Sequence, residues 1–361
     1  MKVNEINYFT APCLWDEKKQ QEIIDVKYQN NRKLTELYGT VPNEIITTGR
    51  YNKALYEMNK EKALDFKKNF IEKNGLKFAY LLNAPIDAKM IQDIKLEKYL
   101  DWIINEFKAD SLTISSKSLL KIVREIYPYI DINISTIAGV KDEKDFAEFL
   151  QFAPQRMVLH HDCVKDIVSL KRIYALCEKH NIILELMVNE SCLNHCPFRK
   201  AHYDYLADNK DDHKFHRSCN TEKMMNPYHF LYANYIRPED IDLYSEIGIH
   251  YFKITGRSKP VWWHKEVITA YLEGRYDGNL IRLLGIDPCL EAEKLIYLDN
   301  RSLDGFAKEL LADVDAQKIV CRKKIGDLYK QRKFYAIRKD IEFSIVEDEL
   351  ICTKGGDNIY G

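Results

Sequence analysis

Eight short apolar runs, rich in β-branched and aromatic residues, recur along this chain, with room between most neighbours for a helix. They are Val3–Phe9, Leu34–Tyr38, Phe78–Leu82, Ser111–Ile114, Asp131–Ser135, Arg156–His160, Ile182–Val188 and Tyr251–Thr255. Most are too continuously apolar to be strands with one wet face, which is the pattern of a parallel sheet covered on both sides. Between them apolar residues fall at helical period: Leu100, Ile103, Ile104 and Phe107, then Phe146, Phe149 and Leu150, then Ile167, Leu170, Tyr174 and Cys177. Pro260 stands where a first helical residue belongs, ahead of a segment that reaches Leu272 and stops before Gly274. Eight strands alternating with helices predict an α/β fold, a TIM-like (β/α)8 barrel over residues 1–285. Only Thr40–Leu64 lacks a clean helical stripe.

From about Asp287 the pattern changes. Leu303–Leu311 reads as a helix capped by Ser302, and Arg322–Lys339 is dense in cations, a solvated face. Ile341–Val346 and Leu350–Cys352 form a hairpin pattern around Glu347, Asp348 and Glu349. Residues 286–361 are therefore expected to be a small C-terminal α+β appendage.

The 361 residues and an apolar fraction near one half supply a large core. A net charge of −1 predicts no broad nucleic-acid surface, although a local patch can still bind RNA. No apolar run approaches the roughly 20 residues that span a bilayer, so no membrane association is expected. The first residues lack the basic-then-apolar pattern of a secretory signal. Nine cysteines at irregular spacings argue against a disulfide framework. The expectation is a cytoplasmic protein with reduced thiols.

In such a barrel the chemistry sits at the C-terminal ends of the strands. That rule gathers Thr10, Cys13, Asn83, Ser115, Ser135, His160, His161, Asp162, Cys163, Asn189, Glu190, Ser191, Cys192, Thr255, Gly256 and Arg257. Cys192 and Cys196 stand four apart after the seventh strand, and Cys219 follows across a His-rich loop. Three thiols at one strand end suit an iron–sulfur cluster, because thiolates are its natural ligands. Zinc is the alternative, with His195 or His202 completing the set; the third reading is plain structural thiols. A radical-SAM triplet is excluded, since the position three after Cys196 is Arg199. Cys13, Cys163, Cys289 and Cys321 are candidates for a fourth ligand, whereas Cys177 and Cys352 fall on apolar stripes.

Glu190 and one of the two adjacent histidines, His161, are placed to move a proton, against the plainer reading as hydrogen-bonded structural groups. Glu185 lies inside a strand and, if it points inward, needs a partner. Arg257 suits a forked contact to phosphate or carboxylate, against an ion pair to Glu239 or Asp240. Of Trp262 and Trp263, one is expected in the core and the other along a pocket.

Glu185, Met187, Cys192, Cys196 and Cys219, with Tyr235–Ile241 and then Lys253-Ile254-Thr255-Gly256-Arg257, resemble the collagenase-like peptidase family U32. Three positions depart from that pattern: Asp242 stands in place of a further cysteine, Glu190-Ser191 replaces a glycine before Cys192, and Thr255 replaces a glutamate. The resemblance implies either a protease or a 4Fe–4S protein supporting oxygen-independent hydroxylation. The sequence has no His-Glu-x-x-His helix and no Gly-x-Ser-x-Gly elbow, which favours the second. The expected reaction is oxygen-independent modification of a small molecule, RNA or peptide, with Cys192, Cys196 and Cys219 as cluster ligands. A collagenase-like protease is the enzymatic alternative. A non-catalytic iron–sulfur subunit working with a partner is the other.

Overall fold

The computed structural model describes residues 5–26, 31–41, 58–85, 94–208, 213–286 and 290–360. Eight parallel strands close into a barrel in sequence order. They are β1 (Asn7–Pro12), β2 (Arg32–Gly39), β3 (Lys77–Leu82), β4 (Ser111–Ile114), β5 (Asp131–Ile134), β6 (Arg156–Val158), β7 (Ile183–Met187) and β8 (Tyr251–Lys253). β8 pairs with β1 to complete the circle. Every expected strand is present. β1 begins and ends later than expected, so Thr10 is an interior strand residue rather than a rim residue.

The anticipated helices form at Glu143–Leu150, Ile167–Lys179 and Val261–Glu273; the Leu100–Phe107 stripe falls across the end of a helix, Ile94–Asp101, and a wider π-helical turn, Trp102–Glu106. Asp142 and Asp166 cap two of them by accepting backbone N–H bonds. Pro260 sits one position before its helix, which ends at Gly274 with φ 71°, where a left-handed residue closes a helix cheaply. Part of Thr40–Leu64 lies outside the described residues; its last residues open the helix Lys60–Phe66.

The barrel lumen is polar. Along the strands, apolar residues such as Leu112, Ile132, Ile134, Leu184, Leu186 and Phe252 are buried in the main core. The alternate positions carry Thr10, Glu36, Ser111, Thr113, Asn133, Arg156, Glu185 and Lys253. Buried ions are costly unless paired, and Arg156 pairs with both lumen carboxylates. Arg156 reaches Glu36 at 2.6 and 3.2 Å and Glu185 at 3.2 Å. Thr10 Oγ1 donates to Glu185 at 2.8 Å. Glu185 thus finds the partners its position demanded. Burial pushes the Glu36 carboxyl up, and the Arg156 charge counters it.

Residues beyond 285 add helices Phe306–Ala312 and Gln317–Lys330 and two antiparallel pairs. β9 (Ile296–Leu298) pairs with β10 (Phe334–Ala336), and β11 (Glu342–Val346) with β12 (Glu349–Lys354). The hairpin turns at Glu347 and Asp348, both left-handed. The expected Ser302 cap is absent: Ser302 Oγ donates to Asp299 at 2.7 Å, and Gly305 precedes the helix. Among the described residues no helix is long and apolar enough to cross a membrane.

Candidate functional site

The C-terminal rim of the barrel holds two adjoining cavities. The smaller, about 60 Å³, drops into the barrel mouth between Tyr38, Asn83, Ser135, His161, Met187, Lys253, Thr255 and Arg257. The larger, about 590 Å³, is lined by Cys192, Cys196, Cys219, Arg199, His202, Phe215 and Lys223. Glu190 and Tyr203 line both.

The cysteine loop is fixed by a single carboxylate. Asp162, just after β6, accepts from the His195 backbone N–H at 3.1 Å, from Asn234 at 2.9 Å and from Arg199 at 3.3 Å. Arg199 also donates to the Leu193 carbonyl at 2.7 Å. His195 takes a left-handed φ of 51°, which turns the chain tightly between the two cysteines. Glu190 accepts from the backbone N–H groups of Ser191 at 3.0 Å and Cys192 at 3.3 Å, so its carboxylate orients the first thiol's turn. Burial acts to lower the Arg199 pKa, but the facing Cys192, Tyr203, Asp162 and Glu190 hold it well above its usual value.

Cys219 comes from the helix His213–Met225. The appendage braces that helix: Asn220 donates to the Tyr360 hydroxyl at 2.8 Å, and His213 stands edge-on to the same ring at 5.1 Å. The three thiols are half-buried, whereas the other five described cysteines are buried. Burial pushes the Cys163 and Cys177 thiols up to about 12 and that of Cys321 to about 11, and it raises Cys13 and Cys352 as well. Metal ligation requires thiolates, so the donor chemistry of the larger cavity fits a soft metal group and that of the buried five does not. Among the described residues no three His, Cys, Asp or Glu side chains converge on one point, as a single ion such as zinc requires. A cluster takes each thiolate at a different iron. Cys13, Cys163 and Cys321 do not line the larger cavity, and Cys289 lies outside the described residues.

His161 meets Tyr203 at 2.5 Å across the junction of the cavities. His160 turns away, and its Nδ1 accepts from the Asp162 backbone N–H at 3.3 Å. Arg257 lines the mouth rather than pairing with Glu239 or Asp240, since those carboxylates face Arg237. Trp263 is buried and donates to the Arg282 carbonyl at 2.6 Å, while Trp262 lies on the surface under the Arg282 guanidinium. Tyr38, Tyr203 and Lys253 line the mouth although sequence reasoning gave them no role there, Lys253 appearing only within the Lys253–Arg257 motif. The signal of Lys253 was a cation inside a strand, in register with Thr10 and Met187.

A model described as peptidase family U32 matches residues 49–275. The chain belongs to peptidase family U32. It is 33% identical over 298 residues to the uncharacterized protease MJ1657 of Methanocaldococcus jannaschii, covering 76% of this chain and 83% of that one. In structure it resembles the U32 peptidase Mk0906 at TM-score 0.50 and 12% identity, over 72% of this chain and 96% of that one. The U32 departures have local reasons. Thr255 clasps Asn189: its N–H and hydroxyl both donate to Asn189 Oδ1, at 2.7 and 3.0 Å, tying the end of β8 to the end of β7. Asp242 accepts from Arg32, at the start of β2, and does not line the cysteine cavity.

Proposed function

We propose that this U32 protein is an enzyme that carries a 4Fe–4S cluster on Cys192, Cys196 and Cys219 and uses it for oxygen-independent modification, such as hydroxylation, of a substrate seated at the barrel mouth. The observation that carries this reading is the meeting of a three-thiol cavity with a polar mouth cavity through the shared walls Glu190 and Tyr203. Held by Cys192, Cys196 and Cys219, such a cluster would supply electron transfer and Lewis acidity at the cavity.

The chain's own residues do the rest. Arg257 presents a fixed fork to an anionic substituent. His161 and Tyr203, already hydrogen-bonded, pass a proton between the two cavities. Glu190 holds the Cys192 turn and faces both cavities. Phe198, Leu206 and Phe215 supply the apolar part of the larger cavity's wall. The substrate class is a small molecule, an RNA or a peptide.

Peptidase activity is the second reading, favoured by the name of the M. jannaschii relative. The two separate on one assay. Anaerobically purified, reduced protein is incubated with unfolded casein beside Cys192→Ala. The proposal expects no cleavage by either protein. Cleavage that persists in Cys192→Ala and after iron chelation overturns it in favour of a peptidase.

A further inference from the structure

Lys253 occupies an uncommon position for an ammonium group. It projects from the end of β8 into the lumen, beside Thr10 and Met187, and is almost wholly buried. Neither a hydrogen bond nor an ion pair reaches its Nζ among the described residues. The two lumen carboxylates nearest in the barrel are committed elsewhere, Glu36 to Arg156 and Glu185 to Arg156 and Thr10. One side of Nζ is covered by the Tyr38 ring, 4.2 Å from its centroid. Tyr38 is itself fixed by donating to the Ile254 carbonyl at 3.0 Å. The lysine lines the small mouth cavity, which has room for a few water molecules or one small functional group.

We infer that Lys253 is a carbonyl-reactive amine, forming an imine with the aldehyde or ketone end of a small substrate. A lysine becomes nucleophilic when it is desolvated and flanked by other cations. Burial is the chief cause that lowers the Lys253 pKa; Glu185 and Glu36 oppose it, and Arg156 and Arg257 add to it. The size of the mouth cavity sets what enters: a small carbonyl end, with the body of the molecule in the larger cavity beyond Glu190 and Tyr203. Arg257, on the same wall, suits a carboxylate or phosphate next to that carbonyl.

The step balances without an oxidant or reductant. The Nζ lone pair adds to the carbonyl carbon, and the C=O π pair becomes a hydroxyl. The nitrogen then loses its protons, the hydroxyl leaves as water, and the C=N bond forms. His161, which lines the same cavity, is the group proposed to carry the proton to the departing hydroxyl. Hydrolysis reverses the sequence. None of this draws on the thiols, so the inference stands apart from the cluster reading and is tested on the same protein with or without metal.

The test uses glyoxylate as the probe, a two-carbon aldehyde acid, with cyanoborohydride to reduce any imine to a stable secondary amine. Peptide mapping by mass spectrometry then reads each lysine. At neutral pH the carboxymethyl adduct is expected on Lys253 about tenfold or more above Lys121 and Lys200, which stand exposed to water. In Lys253→Met the adduct disappears from that peptide while the surface adducts are unchanged. Labelling of Lys253 no faster than of Lys200, or no labelling at all, overturns the inference. Since the decisive comparison is made within the native protein, it does not depend on the variant folding.

Discussion

Arg156 is the residue on which the barrel lumen depends. It sits between two carboxylates in a space that its removal leaves dry and negative. Breaking one partner of a buried pair costs about 3–5 kcal/mol, because the remaining charge has nowhere to go. Arg156→Met is therefore expected to lower unfolding stability by about that amount in a urea titration, and a loss under about 1 kcal/mol contradicts the account. His264 makes a second, pH-dependent prediction. Its ring is fully buried. Burial lowers its pKa from 6.5 to about 4. Between those values the unfolded chain binds the proton and the folded chain does not, so stability falls as pH drops from 6.5 toward 4. That loss is about 3 kcal/mol for this ring alone, and His264→Leu should flatten the acid limb of a stability-against-pH curve by a comparable amount. At this scale the sequence was partly legible. Glu185 announced its need for a partner because a carboxylate inside an apolar strand is costly. Arg156 and Lys253 passed as strand-end residues, because nothing local says that eight strands will turn them toward one another.

The elements that hold the candidate site are two loops and a helix, none of which carries the barrel. Asp162 gathers three donors onto the turn between Cys192 and Cys196. Removing such a supporting partner typically weakens metal retention about 10–100-fold. Asp162→Ala is expected to lower the iron retained through gel filtration while the far-UV circular dichroism stays that of the wild type. Retention equal to the wild type's would show that the loop holds itself. The strands were readable as short apolar runs; the polar lumen positions, Ser111 and Thr113 in β4, Asn133 in β5, Glu185 in β7 and Lys253 in β8, were not read as one face. The apolar runs looked continuous only because the outward residues are large. Ends were less readable. β1 slides by several residues because its pairing with β2 shifts register between Phe9 and Thr10, and that adjustment is made between strands. The Ser302 cap failed for a similar reason: Asp299 took the hydroxyl first.

Across the whole molecule, one hydrophobic core runs from Phe9 through Phe334 and Phe343 to Ile359. Polar ties cross from residues 1–285 to the rest. Gln317 donates to the Lys165 carbonyl at 2.7 Å, and Arg237 donates to the Asn300 carbonyl at 2.6 Å while pairing with Asp240. Tyr360 reaches back to the helix of Cys219. Thermal unfolding is accordingly expected as one cooperative transition, and a chain ending at residue 285 should lose it, exposing apolar surface that binds a hydrophobic dye. Two separate transitions would contradict this. The change of pattern near Asp287 was visible in the sequence, but the bracing of the Cys219 helix through Asn220 and Tyr360 was not, because a contact 140 positions apart leaves no periodic trace.

The central claim is that Cys192, Cys196 and Cys219 act together as the ligands of an iron–sulfur cluster. Anaerobic purification followed by iron, acid-labile sulfide and zinc analysis, with a visible spectrum, tests it directly. The proteins compared are the wild type, each of the three cysteine-to-alanine variants, and Cys177→Ala as the buried control. The account predicts iron and sulfide with a broad absorbance near roughly 400 nm in the wild type and the control, and their loss in all three site variants. Zinc without sulfide, no metal in the anaerobic wild type, or iron retained equally in the three variants would contradict it.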